Sequence, residues 1–294
     1  MFRIVDCCTL SYNSINGRNY QILLWDGGIF MDKSLFDKHE LNTIENVIKK
    51  CENVCILVDY DNLYHSMKEY GIDVSKNNYN FCQFINEMYE KDRIRTFRAY
   101  ADFEQVNVSL RNLQEQRVQI RNVYGNNKDD KYRKNASDIE LSMDAIEMTH
   151  RSPNIDTYVI VTSDSDMIPV MSRLKYKGKN IHLYYTSTNI SQVTHFNSYC
   201  DFSCDLMRLF SIDSKRKTHE YWYEKVKEFI NDWHSKQESS TKRLGFKWLR
   251  DGLCDELFLP KDFVEEIIEK MKNENIITKG NETDEKLANF QVIS

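Results

Sequence analysis

Residues 54–58, Val-Cys-Ile-Leu-Val, run apolar without a polar residue among them, and Asp59 closes the run. A strand with one wet face alternates polar and apolar side chains. An unbroken apolar run instead suits a central strand of a parallel sheet, covered by helices on both faces. Further strand-like segments follow at 94–102 (IRTFRAYAD), 118–125 (VQIRNVYG), 157–162 (TYVIVT) and 179–186 (KNIHLYYT). Segments of helical character precede them at 81–92, 106–117, 137–150 and 167–177, and DFSCDLMRLF at 201–210 closes the series. Strands alternating with helices in this way build βαβ units, so the predicted fold class is α/β, an open and mostly parallel sheet flanked by helices. Sheets of this kind carry ligands beyond the carboxyl ends of their strands.

The chain has 294 residues, room for more than that domain. In residues 1–52, IVDCCTL and YQILLW flank the turn-forming NSINGRN and read as a short hairpin ended by Asp26-Gly27-Gly28, with a helix over 37–51. No function is assigned to this part. Residues 53–210 hold the α/β domain, and 211–219 (SIDSKRKTH) read as a polar linker. Residues 220–294 follow the order helix, helix, helix, β-like tail, which is that of a small winged-helix-like domain. Within it Lys236, Lys242, Arg243, Lys247 and Arg250 face one acid, Glu238, with Phe246 and Trp248 interleaved. Residues 211–294 as a whole carry 15 basic and 17 acidic residues, so nucleic-acid docking, packing on the core and homo-oligomer formation all stay open. Trp222, Phe229 and Trp233 recur at helical spacing and read as core.

Several classes fall away. No apolar run approaches the ~20 residues that cross a bilayer, and the start MFRIVDCCTL lacks the apolar stretch of a signal peptide, so a cytoplasmic protein without membrane contact is expected. Eight cysteines show neither a C-x-x-C pair nor a histidine at zinc-site spacing, and read as reduced thiols. A net charge of −5 argues against a polycation that coats nucleic acid, while leaving room for a local basic track. A Gly-rich phosphate loop is absent, which disfavours a nucleotide triphosphatase.

The chemistry lies in aspartates placed where strands end. Asp59 follows the first apolar strand within Asp59-Tyr60-Asp61-Asn62, and Asp164 and Asp166 follow the TYVIVT strand in Ser163-Asp164-Ser165-Asp166. If the two strands are parallel neighbours, these side chains converge on one edge. Asp138 joins them from a helix. At about 100° per residue it falls within the apolar arc of Leu141, Ala145 and Met148, whereas Glu140, Asp144 and Glu147 fall on the polar side. A carboxylate on a buried face needs a cation or strong hydrogen bonds. Clustered carboxylates also repel one another, raising their pKa values unless a cation fills the gap. With no histidine or cysteine beside them, Mg²⁺ or Mn²⁺ is the expected ion, and Asp144 stays open as a further ligand. Such an ion supports hydrolysis of a phosphodiester without a covalent intermediate.

Each residue also has a plainer reading. Asp59 and Asp164 can be satisfied turn aspartates, Asp166 can cap a helix that carries Pro169 in its first turn, and Asn62 and Ser163 are common turn residues as well as candidate substrate contacts. Upstream of Asp138, the stretch 128–135 contains Lys128, Lys131, Arg133 and Lys134 with Tyr132 among them, a track suited to the backbone and a base of single-stranded or structured RNA, or else a solvated loop.

The blocks ILVDYDNL (56–63), NASDIELSMDA (135–145) and DTYVIVTSDSD (156–166) with Lys177-Gly178-Lys179 behind them resemble the NYN family, the PIN-like nucleases that include the LabA-like proteins. The resemblance covers about 54–210. It implies a PIN-like fold and an endoribonuclease that holds Mg²⁺ or Mn²⁺ through Asp59, Asp138, Asp164 and Asp166, with Asp144 the matching aspartate of the helix and Asn62 the polar residue of the first block. The family often has glycine where this chain has Ser137 and a small residue where it has Tyr60, and Tyr60 is expected to narrow the mouth of the site. It often adds a helical or winged-helix-like RNA-binding module, which the tail resembles loosely. Two other functions compete: a non-catalytic RNA-binding or scaffold protein, and a haloacid-dehalogenase-like phosphatase with Asp59 as nucleophile. The second lacks a threonine two residues after Asp61.

Overall fold

The computed structural model describes residues 23–24, 30–31, 44, 46–76, 79–123, 136–187, 196, 198–236, 244–279 and 289–293. By their contacts the residues divide into two compact units, one of 1–64 and 74–211, the other of 65–73 and 212–294.

The first unit is built on a six-stranded sheet. Its strands are β3 (Val54–Asp59), β4 (Ile94–Ala101), β5 (Gln119–Asn122), β6 (Thr157–Val161), β7 (Asn180–Tyr185) and β8 (Phe202–Asp205). They lie in the order β5-β4-β3-β6-β7-β8, every pair parallel. All six residues of β3 and all five of β6 are buried, which is why these two carry unbroken apolar runs. Helices α1 (Tyr60–Lys68), α2 (Phe81–Met88), α3 (Leu110–Glu115), α4 (Ala136–Arg151), α5 (Ile168–Tyr176) and α6 (Leu206–Leu209) complete the α/β pattern. One core joins Cys55 and Leu57 of β3, Tyr158 and Ile160 of β6, Leu141, Ala145 and Met148 of α4, and Met171 and Leu174 of α5. From β3 the chain winds outward through β4 to β5, then returns to β6 on the other side of β3. The strand order therefore reverses between β3 and β6, and the carboxyl ends of those two strands border the crevice where open sheets place their ligands.

The amino edge is stitched shut. Lys179 Nζ donates to the carbonyls of Pro153 (2.9 Å) and Ile155 (2.6 Å), Asp156 Oδ2 accepts from the Asn53 amide (2.7 Å), and Gly178 turns with φ of 73°. The Lys-Gly-Lys block thus closes the end of the sheet opposite the aspartates.

Near the amino terminus, β1 (Leu23–Leu24) pairs antiparallel with β2 (Phe30–Met31). The described pairing therefore spans the segment with Gly27 and Gly28, not NSINGRN, and IVDCCTL lies outside the described residues.

In the second unit α7 (Tyr223–Ser235), α8 (Phe246–Leu257) and α9 (Lys261–Asn273) precede an antiparallel pair, β9 (Ile277–Lys279) with β10 (Phe290–Val292). Trp222, Val226, Ile230, Leu249, Leu253, Ile267, Ile268 and Phe290 are in its core, with Phe229 and Trp233 partly buried against them. The stretch expected as a linker instead forms two short 3-10 turns, Ser214–Lys217 and His219–Trp222. Burial of Trp222, whose Nε1 donates to the Arg216 carbonyl at 2.7 Å, is what orders it. No helix among the described residues is long and apolar enough to cross a membrane.

Candidate active site at the carboxyl edge of the sheet

Asp59 is the last residue of β3 and is 2% exposed. Its Oδ1 accepts from the Asn62 amide (3.2 Å) and its Oδ2 from Thr162 Oγ1 (3.2 Å), so both oxygens are held. Thr162 Oγ1 in turn accepts from the Asp164 amide at 3.1 Å, which brings the ends of β3 and β6 onto one edge although 103 residues separate Asp59 from Thr162. Asn62 and Ser163 serve the same stitching. Asn62 Oδ1 accepts from the Ser163 amide (2.9 Å), and Ser163 Oγ accepts from the Thr186 amide (2.8 Å) beyond β7.

Asp138 enters from the first turn of α4 and shares a side-chain hydrogen bond with Asp59. Its Oδ1 is buried and makes no hydrogen bond among the described residues. Burial, then the charge and hydrogen bond of Asp138, push Asp59 well above the ordinary carboxylate range. Burial also raises Asp138, with Asp164 and Asp166 adding their charges and the bond from Asp59 opposing. Asp164 caps the turn Ser165–Met167, its Oδ1 accepting from the Asp166 amide at 2.9 Å, while Asp166 is exposed. The capping role considered for Asp166 therefore belongs to Asp164.

Asp61 is a member that sequence reasoning passed over. Its Oδ2 accepts from the Asp102 amide at 3.1 Å and it bonds the Ser137 hydroxyl. Burial, then the charges of Asp102 and Asp138, push it up to about 6, against the pull of the Asp102 amide. The spacing Asp-x-Asp after a strand was the available signal. Ser137, where the family often has glycine, thus has a partner of its own.

Two expectations need correction. Tyr60 is fully buried, its ring 5.8 Å from that of Phe103, so it fills the core beneath the site and does not narrow the mouth. Asp144 lies in the buried arc of α4 rather than on its polar side. Its Oδ2 accepts from Tyr100 Oη (2.6 Å) and pairs with an Arg98 guanidinium nitrogen (2.8 Å) and Arg121 Nε (3.6 Å). Those partners on β4 and β5 neutralise the charge that the helix pattern took to require water. Lys128, Lys131, Arg133 and Lys134 lie outside the described residues. Of the C-terminal cations, Lys236 pairs with Asp232, Arg250 with Asp251 and Glu265, and Lys242 and Arg243 are outside the described residues.

Among the described residues no three His, Cys, Asp or Glu side chains already form a ligand set for an ion. The donor chemistry nevertheless fits a hard divalent cation: oxygen ligands only, an orphaned Asp138 Oδ1, and carboxyls whose mutual repulsion a cation relieves.

The family model of the NYN domain matches residues 53–206. An uncharacterized protein of Methanocaldococcus jannaschii is 29% identical over 79 residues, 27% of this chain and 32% of that protein, so the match spans about a third of that relative's length. A solved protein of unknown function from Vibrio parahaemolyticus aligns over 54% of this chain and 96% of its own, with 19% identity and a TM-score of 0.41.

Proposed function

Because the chain belongs to the NYN domain family, a family of nuclease type, we propose that it is a divalent-metal-dependent endoribonuclease that hydrolyses RNA phosphodiester bonds at its aspartate cluster. The observation that supports this most is the shared hydrogen bond of Asp59 and Asp138 beside a buried, unpartnered Asp138 oxygen. Two acids so placed cost stability at neutral pH, and a site for a cation accounts for the arrangement.

In this reading Asp59, Asp138 and Asp164 hold Mg²⁺ or Mn²⁺, with Asp166 at the exposed rim. A bound ion supplies charge to hold a phosphodiester oxygen and lowers the pKa of the attacking water. The chain's own residues fix the geometry: Thr162 and the Asn62 amide orient Asp59, and Asn62 and Ser163 lock the strand ends together. Asp166, exposed and beyond the buried acids, orients the water at the mouth. Lys128, Lys131, Arg133 and Lys134 supply positive charge for RNA backbone. The haloacid-dehalogenase reading is disfavoured because a nucleophile must reach the substrate directly, Asp59 is 2% exposed, and Leu63 stands where that reading needs a threonine.

The test is incubation of the purified full chain with defined single-stranded and structured RNAs in Mg²⁺, Mn²⁺ or chelator. Metal-dependent cleavage is expected, reduced about a hundredfold or more in Asp164→Asn. RNA binding without cleavage by the unaltered chain under every metal condition would favour the non-catalytic RNA-binding reading instead.

A further inference from the structure

The site is rich in aspartates, and a polyanionic strand approaches it more readily where positive charge stands nearby on the same face. Such a charge lies two strands away. In the parallel register Asp59 of β3 stands beside Tyr100 of β4, and Tyr100 stands beside Arg121 of β5. Residues in register in a sheet share a face, and Tyr100 reaches Asp144 of α4, so Arg121 is on the α4 face, level with Asp59 and about 10 Å from it along the sheet.

The two arginines that meet Asp144 are not equivalent. Arg98 has a side chain 16% exposed and is fixed from two directions, by Asp144 at 2.8 Å and by Gln119 Oε1, which accepts from its Nε at 3.1 Å. The Arg121 side chain is 43% exposed, and its Nε lies 3.6 Å from Asp144, beyond hydrogen-bond reach. One carboxylate, already bonded to Tyr100 and Arg98, cannot neutralise two guanidinium groups. Taken together Arg98, Arg121 and Asp144 carry one positive charge in excess, and the more exposed guanidinium is that of Arg121.

We propose that Arg121 contacts a phosphate of the RNA strand beside the scissile one. The inference rests on the ribonuclease reading and adds a backbone contact to it. A guanidinium fork suits a phosphate, and half-exposure lets it exchange a weak ion pair for a bidentate one.

The experiment is fluorescence anisotropy of a labelled single-stranded oligoribonucleotide with the full chain carrying Asp164→Asn, over a salt series, with and without Arg121→Gln. Removal of one phosphate contact on a single strand should reduce the slope of log K against log salt by about 0.7, with the largest loss of affinity at low salt. Arg121→Lys should recover the slope, which a merely structural role of the guanidinium would not allow. An unchanged slope and affinity in a folded Arg121→Gln protein overturn this inference alone. Failure of the protein with Arg121 intact to bind RNA at any salt overturns the ribonuclease reading and the inference together.

Discussion

Asp59, Asp61 and Asp138 all have folded pKa values above those of an unfolded chain. A group of that kind stabilises the fold fully below its unfolded pKa, about 4 for aspartate, and loses that contribution as pH rises through its folded pKa. For Asp61 the window runs from about 4 to about 6, and Asp59 shifts in the same direction. Metal-free protein should therefore lose stability through this cluster as pH rises toward neutrality, and Mg²⁺ or Mn²⁺ should restore it. The expected melting result is a metal-induced increase in Tm that grows between pH 5 and pH 7. Asp59→Asn should raise the Tm of the metal-free protein and abolish that increase; an Asp59→Asn protein that still responds to the ion would remove Asp59 from the ligand set. His182 has the opposite sign. Burial lowers it to about 4 from an ordinary 6.5, so its contribution, about 3 kcal/mol, is present above 6.5 and lost as pH falls toward 4. An NMR titration of the imidazole should find a midpoint near 4. At this scale the sequence was legible where an acid directly follows an apolar run, as Asp59 and Asp164 do. For Asp61 it offered only the Asp-x-Asp spacing, because the contacts that hold that side chain come from Ser137 and Asp102, in other parts of the chain.

Helix α4 carries one acid into the site and another away from it. Six residues separate Asp138 from Asp144, about 9 Å of helix, and Asp144 is the point where the helix is tied to β4. Asp144→Ala should leave Arg98 largely buried without its partner and cost about 3 kcal/mol in urea unfolding. An Asp144→Ala protein as stable as its parent would show that α4 is held by apolar packing alone. The helix and its buried arc of Leu141, Ala145 and Met148 were legible from periodicity, but the burial of Asp144 beside that arc was not. The deciding partner, Tyr100, is 44 residues earlier on a strand, and no pattern within a helix can announce a neighbour of that kind. Strands β3 and β6 were legible to within a residue because burial on two faces leaves an apolar run, whereas the mostly exposed β5 ends three residues short of the expected stretch.

At the scale of the whole chain, neither compact unit is a single stretch of sequence. Residues 65–73 fall within the NYN match at 53–206 yet belong by their contacts to the second unit. Arg216 donates to the Tyr70 carbonyl at 2.7 Å, Lys217 pairs with Glu69 at 2.8 Å, and Gly71, at φ of 65°, lies so close to Trp222 that a Cβ there would stand 2.6 Å from the indole. Sequence periodicity cannot reveal such an interruption, because each part remains locally regular. A chain ended at residue 211 should melt at a lower temperature than the full chain, since it strips those partners from the segment after α1; an equal Tm would show that 65–73 need none of them.

The same interruption sets a schedule for synthesis. Residues 65–73 leave the ribosome roughly 140 residues before the segment that covers them begins to emerge, which at cellular elongation rates means a wait on the order of ten seconds. Throughout that interval the nascent chain presents Tyr70 and Gly71 uncovered, so chaperone capture during translation should concentrate there.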